Sequence, residues 1–145
     1  MKQLIFYTTN DWIGFLLRLT MGLIMLPHGA QKMLGAFGGY GFNATMTFFT
    51  QTMKLPWLIA FLVIIIEFGG AIGLLLGFAS KVWAIGLIVV MIGAISTTSG
   101  QNGFFMNWFG NQTGEGFEYH LLVIGICLAI LLTGSGKLSL DQLFL

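Results

Sequence analysis

Charge is what this chain has least of. Of its 145 residues, 8% are charged, against roughly 25% in ordinary soluble domains. The formal net charge is +1, so no basic or acidic surface points to nucleic acid or to a strongly charged partner. One cysteine, Cys127, is present. It excludes an intrachain disulfide, a CxxC redox pair and a cysteine zinc site. No haem-attachment signature or dinucleotide fingerprint occurs. The glycine-rich run GAFGGYG after residue 34 lacks the Lys-Ser/Thr ending that a phosphate loop requires, so it reads as a plain loop. Two histidines are present, but neither HxxxH nor ExxH spacing occurs, and no metal site is expected. A cleavable signal peptide is not expected either. The first apolar run is longer than a signal core of roughly 7–15 residues, and no small-x-small cleavage site follows it.

What fills the chain instead is apolar: 57% of the residues are hydrophobic. Four long runs carry them, which predicts a single all-α membrane domain, residues 1–145, with four spanning helices. The spans are expected over residues 12–34, 56–78, 82–96 and 117–133; a hydrocarbon core of roughly 30 Å needs about 20 residues, so the last is short. Asp11 suits an N-cap, Trp12 an interfacial anchor, and Pro56 a first helical turn. Gly69, Gly73 and Gly77 give two small-xxx-small steps for close helix approach. The turn at residues 79–81 makes the second and third spans antiparallel neighbours. Between the first two spans, Phe42, Met46, Phe49 and Met53 recur at helical spacing among polar residues. This predicts a short amphipathic helix lying at the interface, either as an anchor or as a cap over a bundle opening. The loop of residues 99–116 carries Phe104, Phe105, Trp108 and Phe109, residue types that suit the interface. Lys2, Lys81 and Lys137 fall on one side and Lys54 on the other, which predicts cytoplasmic termini.

The chemistry concentrates in RLTMGLIMLPHGAQK, residues 18–32. Charges within a bilayer are costly and usually face a bundle interior or a cavity. Arg18, Gly22, Met25, Gly29 and Lys32 step by four, three, four and three, so they share one helical face. His28 borders that face, just above a proline that frees the carbonyl of Leu23. Counting helical rise from the helix ends puts Glu67 at mid-depth, between Arg18 and His28. Glu118 and His120 fall at the level of Lys32 and His28. Arg18 is therefore expected to pair with Glu67, and Lys32 with Glu118. Such pairs either pin helices in register or line a functional cavity. His28 and Glu67 are the candidate proton-handling, catalytic residues. Arg18, His28, Lys32, Glu67 and Glu118 are the candidate ligand-binding residues. His120 is read as interfacial and Cys127 as an inert small hydrophobe.

These residues also carry a resemblance. Arg18, Gly22, His28-Gly29 and Lys32, then Glu67-Phe68-Gly69-Gly70 with Leu74 and Gly77, then Glu118, and finally Gly134-Ser135-Gly136 with Ser139-Leu140-Asp141, resemble the DoxX family of small four-helix membrane proteins. The resemblance covers nearly the whole chain. It implies a multi-pass protein of the bacterial inner membrane, linked to quinone-dependent oxidoreductases or to oxidative, thiol and quinone stress. A quinone is then the expected ligand. Electrons would come from a redox partner protein, since no electron-carrying motif is encoded; a homo-oligomer is the other expected association. The alternative is a non-catalytic membrane scaffold whose buried charges are structural ion pairs.

Overall fold

The fold is built on apolar segments bounded by short capping signals. The computed structural model describes residues 5–144, so Lys2 and the topology argument resting on it lie outside the described residues. Five α-helices and no strand occur among the described residues: α1 (Trp12–Leu34), α2 (Gly41–Thr47), α3 (Trp57–Leu76), α4 (Ser80–Thr97) and α5 (Glu118–Thr133). A π-helical turn, Phe48–Thr52, continues α2, and 3-10 turns occupy Ser99–Asn102 and Leu140–Phe144.

Helices α1, α3 and α4 are long and apolar enough to cross a membrane. Helix α5, with 16 residues, spans about 24 Å and is a shorter apolar helix of the same character. Outward-facing residues are as apolar as the core. Leu16, Leu23, Ile85, Ile92 and Leu132 are all exposed, and apolarity on every side marks a helix made for lipid or for a large interior.

Asp11 starts α1, its carboxylate accepting from the Gly14 N–H at 2.8 Å and from the Thr9 hydroxyl. Gly35, in the left-handed conformation, ends it. Pro56 sits at the N-cap of α3, one position outside the first turn. Helix α4 begins at Ser80, two residues before the expected start, because the Asp141 carboxylate accepts from the N–H groups of Ala79 and Ser80. That cap comes from the far end of the chain.

The four long helices form a closed ring in which α1 packs on α3, α3 on α4, α4 on α5, and α5 on α1. Met21, Met25, Leu74, Leu87, Met91 and Ile130 fill its centre. Helix α2 and its π turn lie across the ends of α1 and α3, where Met46 packs with Ala60 and Ile64 against Phe42 and Phe49. We call this the upper end. The lower end holds the tight turn at Gly77–Ala79 and the C-terminal segment.

The register of α1 against α3 is set by a backbone contact. A Cβ at Gly29 would come within 2.5 Å of Phe68 Cα and 2.6 Å of Phe68 N. Only glycine permits that approach, and it fixes Gly29 level with Glu67 and Phe68. Arg18, eleven residues earlier, then lies about 16 Å below Glu67.

Candidate functional site

This register decides which charges meet. Glu67 pairs with Lys32, Nζ to Oε2 at 2.6 Å, with side-chain exposures of 7% and 26%. The expected pairing of Arg18 with Glu67 does not form. Counting rise from helix ends treated those ends as level, whereas the Gly29 contact shifts α1 relative to α3 and brings Lys32 within reach of the carboxylate.

Arg18 is 1% exposed and spends all five of its N–H donors on backbone carbonyls. Nε donates to Ser135 O at 2.7 Å. Nη1 donates to Leu74 O and Leu75 O at 3.1 and 2.8 Å. Nη2 donates to Lys137 O and Leu138 O at 3.0 and 2.6 Å. Two of these carbonyls lie in the last turn of α3, where Leu75 O has no helical partner and Leu74 O also accepts from the Gly77 N–H at 3.1 Å, and three lie in the C-terminal segment. Asp141, also 1% exposed, is the counterpart that caps α4 and accepts from the Ser135 hydroxyl. Gly77 lies between them. Its φ of +65° and the nearness of Ser139 Cβ and Arg18 Cζ leave no room for a side chain. Arg18 therefore belongs to a structural knot at the lower end.

Glu118 is likewise committed elsewhere. Its Oε1 accepts from Met106 N at 2.8 Å and from Trp108 Nε1 at 3.2 Å, so it fastens the 103–117 loop to the start of α5 and does not meet Lys32.

The remaining candidates converge. A cavity of about 740 Å³ occupies the upper half of the bundle, and Met25, His28, Lys32, Glu67, Tyr119 and His120 form its polar end. Around these groups the walls are mostly apolar side chains from α3 and α4. The Tyr119 ring lies 5.8 Å from both the His28 and the His120 rings, and its hydroxyl contacts Met25 Sδ at 3.6 Å. His120 Nδ1 is buried with no hydrogen-bond partner in the protein. Phe48, Phe49 and Met53 roof the cavity, and Asn102 and Glu115 stand at its rim. Cys127 is fully buried in the central cluster below. No cluster of three or more metal-ligating side chains occurs among the described residues.

Tyr119 and His120 are the site residues that sequence reasoning missed. The signal was present. His120, Val123, Cys127 and Ile130 step by three, four and three, and the last three are the buried residues of α5. His120 thus sits above the core face of its helix.

Geometrically, then, the chain is an all-helical membrane protein with a ligand-sized apolar cavity that ends in a compact polar cluster. Pockets for small organic ligands typically enclose roughly 300–1,000 Å³ and combine apolar walls with a few convergent polar groups. The family described as DoxX matches residues 13–100. A similar protein, named "Putative oxidoreductase CatD", comes from Bacillus subtilis strain 168. It is 34% identical over 126 residues, covering 87% of this chain and 82% of its own length. No solved structure matches significantly. The chain belongs to the DoxX family.

Proposed function

We propose that this protein is a membrane redox-associated protein that binds a quinone or a similar lipophilic ring in the upper cavity. It would serve as a membrane subunit of a quinone-linked oxidoreductase or stress-defence complex. One observation carries the reading: the apolar cavity of about 740 Å³ that ends on His28, Lys32, Glu67, Tyr119 and His120. The oxidoreductase name of the Bacillus subtilis relative supports the redox half of it.

A quinone supplies reversible two-electron, two-proton chemistry. The chain's own part would be to hold the ring and manage protons. Lys32 and Glu67 neutralise each other, so the cluster suits an uncharged head with oxygen atoms that accept hydrogen bonds. Lys32 and His120 would hold an oxygen, and His28 with Glu67 would move protons. Arg18 and Glu118 leave the proposed ligand set because neither lines the cavity; the donors of Arg18 go to backbone carbonyls and Oε1 of Glu118 to the loop. Electrons would come from a partner protein. In this reading α5 is the fourth span, the protein sits in a bacterial inner membrane with both termini cytoplasmic, and α2 lies at the opposite interface.

The test is binding of a quinone analogue to the purified protein, followed by tryptophan fluorescence or calorimetry. Glu67→Gln and His28→Ala should each weaken binding about tenfold or more. Unchanged affinity in both variants would sink the reading. The scaffold alternative draws support from the Arg18–Asp141 knot, whose charges have a purely structural use. It predicts no ligand binding at all, so the same experiment separates the two.

A further inference from the structure

We propose that the cavity opens sideways, between the upper halves of α3 and α4, and admits a ligand with a long apolar tail directly from the lipid. This rests on the ligand reading above and names the class of ligand more narrowly. The argument begins at the lower end. There α3 and α4 are held together by the Gly77–Ala79 turn and by the Trp83 indole, which lies against Gly69, Gly70 and Gly73. Ile66 still touches the face of Gly86 at about half height; a Cβ there would meet Ile66 Cγ2 at 3.0 Å. Above that level the two helices no longer close on each other. Ile59 and Leu62 of α3 and Val89 and Gly93 of α4 line the cavity instead.

Three of these lining residues are exposed rather than packed against the neighbouring helix. Ile59 is 49% exposed, Leu62 43% and Val89 61%. A Cβ built at Gly93 meets nothing within 4 Å. The gap is apolar and faces the direction in which α3 and α4 would meet hydrocarbon. The polar cluster is on the opposite wall, formed by α1, α5 and Glu67. A ligand entering through the gap therefore brings its head to the cluster and leaves its tail between the helices. A bare ring would leave much of a 740 Å³ space unfilled, whereas a ring with a chain fills the cavity and the gap together.

The experiment compares two benzoquinones that share one ring, the first without a tail and the second with a decyl chain. Both are titrated into the purified protein at one fixed detergent concentration. Wild type should bind the tailed compound at least tenfold more tightly. Gly93→Phe and Val89→Trp, each placed in the gap and each checked for retained helicity, should weaken the tailed compound about tenfold and leave the tailless one within twofold. Equal affinity of wild type for the two compounds would overturn the lateral opening while leaving the ligand reading intact. So would two folded gap variants that bind the tailed compound normally, or that lose both compounds equally. Failure of wild type to bind either compound overturns both proposals.

Discussion

Replacing Arg18 with methionine keeps the length and apolar stem of the side chain and removes five hydrogen-bond donors at once. The bonds to Ser135 O and Leu74 O are fully buried, and the other three are partly buried. Carbonyls of the second kind regain water when the guanidinium goes, so little of their contribution is lost. Of the two buried carbonyls, Leu74 O keeps the Gly77 N–H, but Ser135 O loses its donor, and a buried acceptor left without a partner costs about 1–3 kcal/mol. Loosening of the C-terminal segment adds to this, because Ser135 also joins Arg18 to Asp141 and so to the start of α4. The expected loss is about 2–3 kcal/mol, the upper part of the range for one stranded buried acceptor. It can be measured by reversible unfolding in mixed micelles. Arg18→Lys offers three donors on a compact head in place of five in a fork, so its loss should be intermediate. A local readout should move with it: trypsin should cut after Lys137 faster in Arg18→Met, since the carbonyl of that residue is one of those released. If Arg18→Met unfolds within about 1 kcal/mol of wild type, the knot does not hold the lower end and the reasoning fails.

Gly29→Ala should cost about 1–3 kcal/mol as an overpacking strain, because its Cβ meets the backbone of Phe68. Gly93→Ala, which meets nothing within 4 Å, should be neutral or slightly stabilising in the same assay; equal effects at the two sites would remove the basis for the helix register. Acid should act at the head of α1. The Thr9 hydroxyl, and after it the Gly14 N–H, hold the Asp11 carboxyl below the usual carboxylate range. Its stabilisation is complete above the unfolded value of about 3.9 and is lost as pH falls through the lower folded value. Asp11→Asn keeps a capping oxygen but has no proton to take up, so the difference in stability between the two proteins should change with pH only in that acid window. A difference that stays constant there would exclude the linkage.

The helices were legible because apolar runs begin or end on local signals, Asp11 and Gly35 for α1 and Pro56 for α3, whereas Gly77, read as a packing glycine, is the left-handed C-cap of α3. What escaped is non-local. The early start of α4 depends on a carboxylate 61 residues away in sequence from Ser80, and no window around residue 80 contains it. The site residues divide in the same way. Helical stepping gave the inward face of α1 correctly, so His28 and Lys32 reach the cavity. Stepping says nothing about height, however. Height came from one glycine against one backbone, and that contact moved Glu67 from Arg18 to Lys32. Glu118 shows a third kind of miss. A carboxylate in the first turn of a helix has nearby loop N–H groups to satisfy, and those of Met106 and Trp108 took it before any lysine could.

The arrangement of the two ends also accounts for the existence of the cavity. Four antiparallel helices of apolar character would pack to a solid core along their whole length if nothing prevented it. Here the lower end is tied by Arg18, Asp141 and Ser135, and the Trp83 indole fills the cleft between α3 and α4. With their lower ends fixed, these two helices can separate only upward. At the upper end α2 and its π turn lie across the opening, and Phe49 and Met53 fill part of the space that a closed bundle would have taken. The Lys32–Glu67 pair then bounds the cavity on the α1–α3 side. Two linked charged groups are hard to cover with apolar side chains, because removing them from polar surroundings costs several kcal/mol per ion. The polar cluster borders this opening, with Glu67 buried and His28 exposed, and weakening the knot should loosen the cavity even though Arg18 lies about 16 Å below Glu67. Arg18→Met, studied at a temperature where it remains folded, should accordingly bind the tailed benzoquinone several-fold more weakly than wild type.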